Sequence, residues 1–353
     1  MNQWWYDEGR AILAMVVVQS IYAGVAIFSK QALREGFNPR VIVVYRQGIA
    51  FLVLFPASIL LNRGKINHLA LGGKGFTLVF ITALFGTTVS QNCYFQGLQL
   101  SSSSMTTAML NLIPGVTFLI SLFLGLEKLE LRSLRSMAKI FGTLICIGGA
   151  MCMALYKGSA ILLSSPEQNL VLGCIFLFGT DICWSLWLIL QGIICKRNYL
   201  DPLSLSVWIS FLATILSAIF TLCIDRNLNI WKIRTRTQLI ACLFVGIFGS
   251  GTTFYLQAWT IERRGALFSA LFNPLATIIA TTITFLILHE NLYVGSLVGA
   301  FVVIVGLYIV LWGKAEDYGT KTKLDQKDDS IEQVDGQSDL HEPLLPGTRE
   351  VDV

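Results

Sequence analysis

One carboxylate lies deep within an apolar run. Asp181, in FLFGTDICWSLWLILQ, occupies a position where a charge costs about 2.5–3.5 kcal/mol on insertion scales. It is expected to face the interior of a helix bundle or a wet cavity, either as a packing hydrogen bonder or as a group that binds a cation or a proton. Gln19, Gln91, Asn92, Asn111, Gln257 and Asn273 form a second class. Each amide carries donors and acceptors that lipid leaves unsatisfied, so it seeks another helix, water or a zwitterionic ligand. Singly they read as glue between helices; as a set drawn from both halves of the chain they read as the lining of a cavity. Trp184 and Trp187 follow Asp181 closely and offer either an aromatic wall for a ligand or a packing surface.

Pro114 and Pro274 stand beside Asn111 and Asn273 inside long apolar runs. Proline removes a backbone donor and clashes with the preceding turn, so each is expected to kink its helix and free carbonyls there. Interrupted helices at corresponding places in two repeats mark the site and gates of carriers with inverted repeats. Glu127 and Glu290 close their apolar runs and are expected to pair at the membrane interface with basic neighbours such as Lys128. Arg46, a short way into VIVVYRQGIAF, is expected to snorkel to the surface in a structural role.

These residues require a membrane scaffold. With 54% hydrophobic and 14% charged residues in 353, and a mean hydropathy of +0.65, the chain has more apolar surface than a soluble core of its size could bury. Crossing about 30 Å of hydrocarbon takes roughly 20 helical residues. Apolar runs of about that length occur near 11–29, 41–61, 76–97, 104–125 and 138–156, then near 171–194, 204–224, 237–258, 266–288 and 292–312. The first has no small-residue cleavage site and is expected to be a true span. The runs lack period-two alternation, so the expected fold is an all-α integral membrane bundle of ten transmembrane helices.

The chain also repeats itself. Tyr94 to Lys128 and Tyr255 to Asn291 both open with aromatic-x-Gln, pass a polar break, enter an apolar helix bearing Asn and Pro, and end near one carboxylate. The echo continues, with Gly142 and Gly149 matching Gly299 and Gly306 in spacing. Five spans per half is an odd number, so the second half enters the membrane from the opposite side and the repeats are inverted. Lys and Arg number 17 on the N-terminal side of the membrane against 8 on the other, which places both termini in the cytoplasm. The expected organisation is a cytoplasmic N-terminus at 1–10, repeats at 11–158 and 171–313, and a tail at 314–353.

That tail holds 11 of the 22 acidic residues and cannot bury enough apolar area to offset its ordering entropy, so it is expected to be disordered. Its HEPLLP run reads as a dileucine sorting signal or a chance pair of leucines. The eight cysteines fall mostly in apolar runs with no framework spacing and read as packing residues.

Three stretches carry a resemblance to a known family: FSKQALREGFNPRVIVVYRQGIAFLVLFP, NLIPGVTFLISLFLGLEKLELRSLRSMAKIFGTLICIGGAM, and ALFNPL with HENLYVGSLVGAFVVIVGLYIVLWGK. They resemble the plant Walls-Are-Thin-related proteins, also called UMAMITs, a branch of the drug/metabolite transporter superfamily built from two EamA repeats. Ala266 departs from the Pro usual there after the Gly that opens span nine. The resemblance implies a ten-helix carrier of amino acids, related organic acids or auxin in the plasma membrane or tonoplast. It also implies a central cavity lined by spans one, three, four, six, eight and nine, which are the spans holding the polar set.

The expected activity is secondary transport by alternating access. The six amides would hold the substrate, Asp181 would balance an ammonium group or carry a proton, and Pro114 and Pro274 would mark moving gates. The partners are a small-molecule substrate and the lipid bilayer; no nucleic acid, cofactor, metal or catalytic residue is expected. Proton coupling and oligomeric state stay open at this level. Two rivals are weaker: an intramembrane enzyme lacks catalytic groups at matched depth, and a receptor or scaffold would signal through the acidic tail.

Overall fold

The computed structural model describes residues 2–61, 69–100, 109–126, 134–155, 170–288 and 298–313 apart from 300, 307 and 311. Glu127, Glu290, the 156–169 linker and the tail lie outside these residues. The described part is helical, and no strand occurs in it.

Helical segments fall at all ten apolar runs. Segment one is Asn2–Arg34, two is Pro39–Leu61, five is Leu134–Leu155, six is Leu170–Lys196 and seven is Pro202–Ile224. Segments three and eight each have three parts: Gly73–Ala83, Leu84–Val89 and Ser90–Leu100, then Arg236–Gly246, Ile247–Thr252 and Thr253–Arg264. Segment four is Ile113–Phe123, nine is Ala266–Leu271 with Asn273–Leu288, and ten is Phe301–Val310. Segments one, two, three, six, seven and eight are long and apolar enough to cross a membrane, while the other four are shorter apolar helices over the described residues. Six of the ten expected spans therefore meet the requirements of length and apolarity together over the described residues.

The surface has the polarity of a lipid-facing bundle. Leu13, Leu52, Leu60, Phe123 and Phe301 are exposed, whereas Gln19, Asp181, Ser185, Gln191 and Gln257 are buried. Water would favour the reverse distribution, and hydrocarbon favours this one.

Packing follows the repeat. Segment two lies along segment seven; segment three packs on six as eight packs on one, and four packs on six as nine packs on one. Exchanging the halves maps these pairs onto each other. Segments five and ten meet through glycines: a methyl group on Gly306 would lie 2.7 Å from the Cys146 backbone nitrogen, and one on Gly142 would lie 2.9 Å from the Gly306 carbonyl oxygen. Small residues there let two backbones touch, the usual device where lipid supplies no hydrophobic drive for association.

Local signals set several ends. Asp201 caps segment seven through the Leu203 and Ser204 amides, with Pro202 in the first turn where its missing N–H costs nothing. Gly265, at φ +85°, separates segments eight and nine. That left-handed backbone favours glycine, so the break survives although Ala266 stands where Pro is usual.

The turn after segment one is tied to the start of segment eight. The Thr235 hydroxyl donates to the Glu35 carboxylate, and the Gln238 amide donates to the Glu35 carbonyl at 3.3 Å. The bond from Thr235 holds the Glu35 pKa below its ordinary 4.5. A depressed folded value means that the tether contributes above about pH 4.5 and is lost as pH falls through the folded value. Hydrogen exchange across 35–38, corrected for intrinsic rates, is expected to speed up between about pH 7 and about pH 3 in the native chain but not in Glu35→Gln. Equal behaviour of the two would remove the tether.

Candidate functional site

Segments four and nine are broken at matching places. In segment four, residues 111–112 form a turn and a new helix starts at Ile113 with Pro114 in its first turn. In segment nine, Phe272 interrupts the chain and a new helix starts at Asn273 with Pro274 second. Pro114 and Pro274 are thus not mid-helix kinks, as expected from sequence, but initiators of half-helices. Proline is pre-organised for that position, and its missing donor has no intrahelical partner there. At the start of the new helix the Ile113 carbonyl also accepts from the Ser185 hydroxyl at 3.5 Å, and Thr117 donates to Ser185 at 2.9 Å.

Ser185 stands one helical turn after Asp181, so the carboxyl faces the region of this break. Trp184, on the adjoining face, meets the ring of Tyr22 edge-on with centroids 6.2 Å apart. Asp181 is fully buried, and neither of its carboxylate oxygens has a hydrogen-bond partner among the described residues. The indole nitrogens of Trp184 and Trp187 likewise have none.

A second group joins segments one, eight and nine. Gln257, fully buried, accepts from the Tyr22 hydroxyl at 3.0 Å and donates to Ser269 at 3.1 Å. The Gln19 amide donates to the Asn273 side-chain oxygen at 3.4 Å. The structure therefore brings Gln19, Gln257 and Asn273 together, with Trp184 against Tyr22 and Asp181 about one turn before Trp184 on its helix. Asn111 is buried at the break of segment four. Asn92 instead donates to its own helix at the Thr88 carbonyl, 2.7 Å away, and Gln91 is half-buried on the same helix; among the described residues neither bonds to the amide cluster.

Sequence reasoning missed the π-helical turns of segments three and eight, LFGTTV and IFGSGT. Such turns widen a helix by one residue and gather at functional sites. The repeated Phe-Gly followed by Thr or Ser was the signal that could have found them. Trp187 rests on the first: a methyl group on Gly86 would overlap its indole at 2.0 Å. Arg46 is held by the second. Its Nε donates to the Ser250 hydroxyl at 2.5 Å and its Nη2 to the Gly249 carbonyl at 2.6 Å. With only 8% of its surface exposed, Arg46 does not snorkel: the widened helix offers acceptors inside the bundle. Tyr22 and Ser269 were also missed, because a phenol in SIYAG and a serine in FSALF carry no sequence signal of a shared cluster.

A separate pocket of about 520 Å³ opens where the turn 36–39 meets the loop before segment eight, with Phe95, Lys232 and Arg234 in its wall. None of the residues selected from sequence lines it.

The duplicated sequence and the helical fold match known proteins. A profile described as the EamA-like transporter family matches residues 9–155 and 171–312. The chain belongs to that family. It is 42% identical over 360 residues to one WAT1-related protein of Arabidopsis thaliana, covering 94% of this chain and 96% of the relative. A second WAT1-related protein of the same plant is 45% identical over 354 residues, covering 95% and 98%. A solved crystal structure superposes with a TM-score of 0.70 at 16% identity, covering 85% of this chain and 95% of that one, which supports the fold alone. EamA-like chains form a class of membrane transporters, so this is a multi-pass membrane protein of a transporter family, as the resemblance implied.

Proposed function

We propose that the chain is a secondary transporter of amino acids or related small organic acids, auxin among them, working by alternating access in the plasma membrane or tonoplast with both termini in the cytoplasm. The observation that carries this reading is Asp181, a buried carboxyl without a hydrogen-bond partner among the described residues, one turn before Ser185, which bonds the broken helix. A packing residue would be expected to satisfy its oxygens, because an unpaired buried polar group is costly. A group that exchanges partners during a cycle cannot keep a permanent one. Gln19, Gln257 and Asn273 hold the polar groups of the substrate, while Asn111, Gln91 and Asn92 line the approach. Asp181 balances an ammonium group or carries a proton.

Uptake by the purified full chain in liposomes tests this, with radiolabelled amino acids and indole acids supplied with and without a pH gradient. Accumulation of at least one solute above protein-free liposomes is expected; none with any solute would overturn the reading. Pro114 and Pro274 begin the half-helices that rock as gates. Because Pro114 sits in a first turn, Pro114→Ala should change stability by only about 1 kcal/mol or less while slowing turnover and leaving binding largely intact. An unchanged turnover number would remove Pro114 from the gate.

A further inference from the structure

We propose that Arg46 is the anion anchor of the substrate site, so that the transported solute carries a carboxylate; this rests on the transport reading above. Arg46 lies in segment two inside the bundle, and its hydrogen bonds run to neutral groups, the Ser250 hydroxyl and the Gly249 carbonyl. Among the described residues no carboxylate lies within ion-pair distance of it; the one ion pair there joins Arg40 to Asp225. Two neutral acceptors leave most of the five N–H groups of a guanidinium for other partners.

A buried cation that served only to fasten two helices would be a costly choice. Desolvating a charge takes several kcal/mol, and an apolar or neutral pair of similar shape often does as well. The two repeats make that comparison internally. Segments two and seven both begin at proline and run for 23 residues, and the eighth residue is Arg46 in the one and the fully buried Ile209 in the other. Ser250 falls in register with Thr87 of the first π-turn, whose hydroxyl donates to its own helix at the Ala83 carbonyl. An apolar residue fills the matching place in the same scaffold, so packing does not account for the charge.

Arg46 also adjoins the amide cluster. Its Nη2 and the Thr253 hydroxyl share the Gly249 carbonyl, and Gln257, one turn after Thr253, accepts from the Tyr22 hydroxyl. On the other side Tyr22 meets Trp184, one turn from Asp181. The line from Arg46 through Tyr22 and Trp184 to Asp181 thus has a cation at one end and a carboxyl at the other, with amides between. That polarity complements a zwitterion: the planar guanidinium suits a carboxylate in bidentate fashion, and the acid suits an ammonium. A carboxylate without an amine would engage the Arg46 end alone.

The test compares each carboxylic acid with its own primary amide as competitors for uptake in liposomes: an amino acid against its amide, and an indole acid against its amide. The native chain is expected to prefer the acid at least about tenfold, the scale set by losing one member of a buried charge pair. Arg46→Gln should abolish that preference by weakening the acid and sparing the amide, and Arg46→Lys should keep part of it. A helix-fastening role would weaken both competitors together and leave the ratio alone. Should Arg46→Gln fail to fold, Ser250→Ala removes one tether and should reduce the same ratio. A native chain indifferent to acid or amide, or a ratio untouched in Arg46→Gln or Ser250→Ala, overturns the anchor while leaving transport standing. A native chain that carries no solute overturns both.

Discussion

Asp181→Asn is expected to lower kcat/KM for uptake by at least about tenfold, the loss typical when one member of a buried charge pair is removed, and to flatten the response of uptake to pH. The substitution is nearly isosteric. Because neither carboxylate oxygen has a hydrogen-bond partner among the described residues, the amide breaks no bond that the fold depends on there, and thermal stability should stay close to native or rise. This separates the site reading from the packing reading: a structural acid would show its loss in stability before activity. Asp181→Glu, which keeps the charge but moves it by one methylene, should fall between. Native rates with a native pH response in Asp181→Asn would remove this residue from the mechanism.

Gly306→Val is expected to destabilise the protein strongly, because the crowding atoms belong to backbone. Even the first carbon added at Gly306 would lie 2.7 Å from the Cys146 nitrogen and 2.9 Å from the Gly142 carbonyl oxygen. Backbone cannot rotate away as a side chain can, so segments five and ten must separate. Overpacking typically costs about 1–3 kcal/mol per site; Gly306→Ala should fall in that range and Gly306→Val above it. Gly148, also in segment five, has nothing within 4 Å of an added carbon, and Gly148→Ala should be neutral. Thermal unfolding in detergent reads the difference, and equal melting of Gly148→Ala and Gly306→Val would refute the close approach of these helices.

Much of this architecture is written in local pattern. Long apolar runs, the Asn and Pro doublets of segments four and nine, and the spacing of Gly142, Gly149 and Gly306 depend on hydropathy and on a duplicated string of residues. Both can be read without knowing what touches what. Asp181 stands out for the same reason, since a carboxylate in hydrocarbon is conspicuous wherever it points.

The π-turns, the destination of Arg46 and the membership of the amide cluster were decided elsewhere. A π-turn is rare and carries no strong local signal; Trp187 packs into the widened helix against Gly86. An arginine near a helix end can turn outward to water or inward to acceptors, and Ser250, some 200 residues away, provides the inward choice. Tyr22 and Gln257 likewise meet across 235 positions. Hydropathy settles that these residues enter the bilayer, because it is a property of each stretch by itself. Which polar groups face one another depends on how helices rotate and break against their neighbours, and only the packed bundle supplies that.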